Sequence, residues 1–147
     1  MWASSLSHNG LTGCGTDSGD WVCHRMEHEL GGLYDVTHGA GLAAIWGSWA
    51  RYVYRDCIDR FVKFTVEVMG VKPTGDDERT ALEGIDATES FFRRIGVPTT
   101  IRELGVEPTQ EEIERMTDSV IRANGEPFGS AKKLTRADIA EIYRRAR

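Results

Sequence analysis

Cys23-His24-Arg25-Met26-Glu27-His28-Glu29-Leu30-Gly31-Gly32-Leu33-Tyr34-Asp35-Val36-Thr37-His38-Gly39-Ala40-Gly41 holds three of the four histidines of this 147-residue chain. Its periodicity sets the architecture around it. A helix starting at Trp21 would carry Trp21, Met26 and Leu30, with Asp20 placed to cap it. His24 and His28 are four residues apart, so on a helix they sit side by side with Cβ atoms about 5–6 Å apart. His38 follows His24 by fourteen residues, a distance that straight helix would stretch to about 21 Å. If the three histidines act together the chain must turn back, and Gly31-Gly32 is the expected stop. A second helix then opens near His38 and carries Leu42, Ile45, Trp46, Trp49 and Val53. It is apolar around much of its circumference, which predicts a central, buried position.

The same punctuation continues outward. Trp2 to Leu11 reads as a helix closed by Gly13-Cys14-Gly15, and Thr16 to Asp20 as a turn. Asp56 to Met69 continues the helical pattern and ends at Gly70. Gly75-Asp76-Asp77 begins another helix, which Gly96 and Pro98 stop. Thr99 to Leu104 reads as one short helical turn. Thr109 and Glu112 form a capping box ahead of a helix ending at Asn124-Gly125. Thr135 caps the last helix, whose Arg144, Arg145 and Arg147 suit the negative end of its dipole. No alternating β-rich run, repeat or long linker interrupts this pattern. The expectation is an all-α helical bundle forming one domain over residues 1–147.

Composition narrows the class. The net charge of -5 gives no reason to expect nucleic acid or an anionic membrane as partner. No apolar run reaches the length of a membrane span, and Met1-Trp2-Ala3-Ser4-Ser5-Leu6 lacks the basic and apolar regions of a signal peptide. Cys14, Cys23 and Cys57 have no zinc-ribbon spacing and read as free thiols of a reducing, cytoplasmic compartment.

Two short motifs overlap the histidines. His24-Arg25-Met26-Glu27-His28 fits H-x-x-E-H, in which Glu27 would be the base of a zinc hydrolase, but this leaves His38 unexplained. Gly39-Ala40-Gly41-Leu42-Ala43-Ala44 fits a dinucleotide fingerprint, yet Leu33 to Thr37 makes no buried strand ahead of it. Close packing of small residues is the preferred reading there. His8 reads as a packing or hydrogen-bonding residue, and Trp21, Trp46 and Trp49 as core in preference to the lining of an apolar substrate cleft.

Taken together with Gly19-Asp20-Trp21, Trp49-Ala50-Arg51-Tyr52-Val53, Gly96-Val97-Pro98 and Ile142-Tyr143, the stretch from Glu27 to Ala43 resembles the iron-containing alcohol dehydrogenases, in their butanol dehydrogenase branch. The resemblance implies the C-terminal part of that family's helical domain, lacking the N-terminal α/β nucleotide-binding domain. It implies that His24 and His38 are two of four ligands to a divalent metal, iron or zinc, and that His28 is a catalytic histidine near nicotinamide and substrate. The other two ligands and the loop for the NAD(P)H phosphates belong to family segments upstream of the matched part. The expected activity is hydride transfer between NAD(P)H and an alcohol or aldehyde held on the metal. This chain alone is expected to be inactive and to hold metal weakly. Its expected partners are the nucleotide-binding domain and a second copy in a homo-oligomer. The alternative is a non-catalytic helical remnant or interaction module.

Overall fold

The computed structural model describes residues 2–11 and 19–147. Its helices are α1 (Trp2–His8), α2 (Val22–Tyr34), α3 (His38–Val53), α4 (Ile58–Glu67), α5 (Asp77–Arg94), α6 (Gln110–Asn124) and α7 (Arg136–Ala146), with short 3-10 turns at Tyr54–Cys57 and Arg102–Leu104. The described residues contain no strand, only an isolated bridge between Phe128 and Leu134. No described helix is long and apolar enough to cross a membrane. The glycine-flanked Cys14 turn and residues 16–18 of the next turn lie outside the described residues.

Helix α3 is central, as its apolar circumference predicts: it packs against α2, α5 and α7. Its small residues make this possible. Gly41, Ala43, Ala44, Gly47 and Ala50 are all buried, so neighbouring backbones approach closely on several sides. Val22, Met26 and Leu30 of α2 join Ile45, Ile85, Ile113, Ile139, Ile142 and Tyr143 in one core. The Tyr143 hydroxyl, buried in that core, donates to the Met26 carbonyl at 2.6 Å and ties the last helix to α2. Helices α4 and α5 meet at an equally tight point. A Cβ on Gly84 would stand 1.8 Å from the Thr65 hydroxyl oxygen.

The caps follow local chemistry. The Thr109 side chain accepts from the Glu112 amide while the Glu112 carboxylate accepts from the Thr109 amide. Thr135 makes the same reciprocal pair with Asp138. Asp76 caps α5 by accepting from the Arg79 amide. Asp20 departs from its expected role. One carboxylate oxygen accepts from the Val22 amide, and the other holds the Ser130 and Ala131 amides, so Asp20 pins a distant loop to the start of α2.

The reversal between the histidines also differs from expectation. Helix α2 runs through Gly31-Gly32 and ends at Tyr34, and the chain turns at Asp35, which adopts a left-handed backbone with φ 53°. Glycine inside a helix costs only about 1 kcal/mol relative to alanine. Continuing the helix brings Leu33 and Tyr34 against the core. Aspartate is one of the few residues that tolerates the left-handed region, so it supplies the stop.

Candidate metal centre

Helix α2 delivers His24, Glu27 and His28 to one flank, and the turn at Asp35 brings His38, the first residue of α3, opposite them. The His24 and His38 ring centroids lie 5.4 Å apart, and those of His28 and His38 lie 5.7 Å apart. The three imidazoles singled out from spacing therefore converge. Among the described residues, Glu27, His28 and His38 bring ligand atoms within 4.8 Å of one another.

Glu27 takes a place that the sequence reading did not give it. It is 1 % exposed, sealed between α2 and α3, while the His38 side chain above it is 53 % exposed. His38 Nδ1 contacts the Glu27 carboxylate. The space for that carboxylate exists because residue 41 is glycine: a Cβ there would stand 2.7 Å from Glu27 Cγ. A buried carboxylate taken up by His38 is not a free base beside water, which removes the structural basis of the H-x-x-E-H reading.

The surroundings favour neutral imidazole at His24. Its pKa is lowered by partial burial first, then by the neighbouring His38, His8 and His28 rings and by Arg25. Neutral imidazole is the metal-binding form. Trp21 packs edge-on against His24 with centroids 4.9 Å apart. It is 41 % exposed, so it is not the core residue its spacing implied. His8 meets the expectation of a packing and hydrogen-bonding residue. Its Nδ1 lies 3.2 Å from the Ser4 carbonyl, and its ring lies 6.1 Å from that of His24.

Beside His24 opens an apolar cleft of about 720 Å³, lined by Leu42, Ala43, Trp46, Trp49, Phe92, Ile95 and Pro98 among others. Trp46 and Trp49 are half-buried, packing on the core and facing this cleft at once. Cys23 also borders it. Burial, and secondarily the Asp20 charge, push its thiol far above the ordinary range, so it is inert as a nucleophile. Cys23 and Cys57 are free thiols, as expected. Gly39 to Ala44 lies in the first turns of α3 with no strand before it, so the dinucleotide reading fails.

The fold is an all-α bundle in which imidazoles from two helices converge beside an apolar cleft. Residues 13–147 match the description "Fe-containing alcohol dehydrogenase family, C-terminal". The chain belongs to the iron-containing alcohol dehydrogenase family. It is 37 % identical over 147 residues to NADH-dependent butanol dehydrogenase A of Clostridium acetobutylicum, covering 99 % of this chain and 37 % of that protein. A probable NADH-dependent butanol dehydrogenase of Bacillus subtilis is 30 % identical over 145 residues, covering 98 % of this chain and 36 % of the relative. The crystal structure of NADH-dependent butanol dehydrogenase A from Thermotoga maritima superposes with a TM-score of 0.87 at 32 % identity, over 99 % of this chain and 37 % of that one. The chain thus spans little more than a third of the length of these relatives.

Proposed function

We propose that this chain is the helical, metal-holding part of an alcohol or aldehyde oxidoreductase of the butanol dehydrogenase type. The observation that carries the reading is the convergence of His24 and His38 across the α2–α3 turn, with rings 5.4 Å apart. The donor chemistry fits a divalent cation such as Fe²⁺ or Zn²⁺: neutral imidazoles are ordinary ligands for both. His24 and His38 would hold it. When bound, the metal supplies Lewis acidity toward a substrate oxygen, and NAD(P)H supplies the hydride.

The chain's own residues do the positioning. Two rings carried on separate helices fix a point between α2 and α3, and the Glu27 contact restricts rotation of His38. His28, exposed and one turn from His24, faces the same space and would orient the substrate hydroxyl or carry its proton at a ring nitrogen. The apolar cleft beside His24 accepts a hydrocarbon tail and keeps water from it. No residue of this chain is assigned to the nicotinamide cofactor. Two imidazoles fall short of the three protein ligands usual at a catalytic zinc, so turnover by the 147-residue chain alone is expected to be absent. A nucleotide-binding domain and a second copy of the chain are the proposed partners.

Equilibrium dialysis with Zn²⁺ and Fe²⁺ tests the assignment. His24→Ala and His38→Ala should each abolish the metal retained, while His28→Ala should leave it nearly unchanged. Retention unaffected by either of the first two variants refutes the ligand pair. Butanol oxidation with NAD⁺ or NADP⁺, or butyraldehyde reduction with NADH or NADPH, by the metal-loaded chain alone refutes the expected inactivity.

A further inference from the structure

We propose that Glu27 is a positioning residue: it anchors His38 by the Nδ1–H and so presents the Nε2 lone pair to the site. The proposal rests on the metal reading above for its purpose but not for its geometry. A carboxylate at ordinary pH only accepts, so the proton in the Glu27–His38 contact sits on Nδ1. In the neutral ring Nε2 is then the bare nitrogen, the one that can coordinate. A carboxylate behind a ligating imidazole fixes both its tautomer and its ring orientation.

Three features show that this carboxylate is built in. Glu27 is 1 % exposed although its only ionic partner among the described residues is a half-exposed histidine. Burying a charge is costly unless it is paired and hydrogen-bonded. The pocket that receives it is shaped by a missing side chain: a Cβ on Gly41 would lie 2.8 Å from Glu27 Oε1. Finally, Glu27 shares its helix with both His24 and His28, one residue before the latter and three after the former. A shift of α2 relative to α3 would therefore break the anchor and separate the histidines together.

The test is the tautomer of His38, read by long-range ¹H–¹⁵N correlation on the ¹⁵N-labelled 147-residue chain at pH 8, without metal. Wild type should show a protonated Nδ1 and a bare Nε2 at His38. Glu27→Ala should lose that state in favour of the Nε2–H tautomer that free imidazole side chains prefer. Glu27→Gln retains an acceptor oxygen and should preserve part of it; it also serves as the reporter if the alanine variant fails to fold by circular dichroism. A wild-type His38 protonated at Nε2 overturns the proposal, and so does a tautomer unchanged in both variants. Zn²⁺ titration of the same samples should move His38 Nε2, with affinity about ten- to a hundredfold weaker in Glu27→Ala. Zinc that moves Nδ1 instead would make Glu27 a competitor or ligand and overturn the assignment. Zinc that moves neither nitrogen, with the tautomer as expected, leaves the anchor standing and sinks the metal reading.

Discussion

Replacing Gly41 by alanine should destabilise the chain, although alanine is the better helix former. The position lies in the first turn of α3, where the change alone would favour the folded state by roughly 0.5–1 kcal/mol. Against that stands the contact. The new Cβ would lie 2.7 Å from Glu27 Cγ, 2.8 Å from Oε1 and 3.2 Å from Cδ, all inside ordinary van der Waals separation. The side chain has little room to slide, because it is 1 % exposed between α2 and α3. Overpacking of this kind costs about 1–3 kcal/mol. Losing a charge-assisted hydrogen bond to His38 adds about 1 kcal/mol, at the lower end of its range because that ring is half-exposed. The net expectation is a loss of about 1–3 kcal/mol, which in a chain of this size lowers Tm by about 3–10 °C. Gly32→Ala is the matched control. It lies in α2, its Cβ would meet nothing within 4 Å, and it should raise stability by about 0.5–1 kcal/mol. Thermal and urea melts followed by circular dichroism at 222 nm measure both. Equal stabilisation by the two alanines would refute the claim that Gly41 exists to seat Glu27.

Gly84→Ala should likewise destabilise by about 1–3 kcal/mol, because its Cβ would overlap the buried Thr65 hydroxyl that donates to the Phe61 carbonyl; a urea midpoint at or above wild type would show that α4 and α5 can part freely. Tyr52 should ionise late. Its hydrogen bond to Asp138, then burial and the Asp138 charge, push its pKa up to about 12. Raised above the unfolded value near 10, this group contributes stability that is complete below pH 10 and lost as pH climbs through about 12. The wild-type minus Tyr52→Phe difference in ultraviolet titration should show that late ionisation, and Asp138→Asn should bring it down toward 10. No change in the Asp138→Asn background would disconnect the pair.

Local chemistry carried most of the helix boundaries. The Thr109–Glu112 box and the Thr135 cap depend on neighbours three residues apart, and both formed. The opening of α3 at His38 and its central position followed from apolar periodicity. Where the reading failed, a tertiary contact outvoted a local rule. Gly31-Gly32 marks a helix stop by propensity, but packing of Leu33 and Tyr34 extends α2 to a left-handed Asp35. Trp21 reads as a core residue, yet it stacks on His24 at the surface rather than entering the core. Of the site, the three histidines were legible because they cluster within fifteen residues. The partner of His38 was not. Glu27 lies eleven residues away, and only the angle between α2 and α3 decides whether it reaches the imidazole.

The proposed site has a rigid back and an open front. Met26 and Leu30, on the core side of the histidine helix, are fully buried, and the Tyr143 hydroxyl holds the Met26 carbonyl from behind. Arg51 bonds Glu89 at 2.7 Å and Asp86 at 2.6 Å, locking α3 to α5 beneath the cleft. Its front is open. His28 and His38 are exposed, and Trp21 against His24 and Ile95 on the cleft wall stand 41 % and 54 % exposed. On the proposed metal reading, ligand orientation is set by contacts within these helices. A pre-set pair of imidazoles loses little entropy on coordination, but each missing donor leaves a position to water. Supplying those donors from outside should thus raise affinity without reorganising α2 or α3. Chemical shifts of their backbone amides that stay fixed as zinc saturates would bear this out, and widespread shifts through Met26 and Tyr143 would show that the pair is assembled by the ion instead.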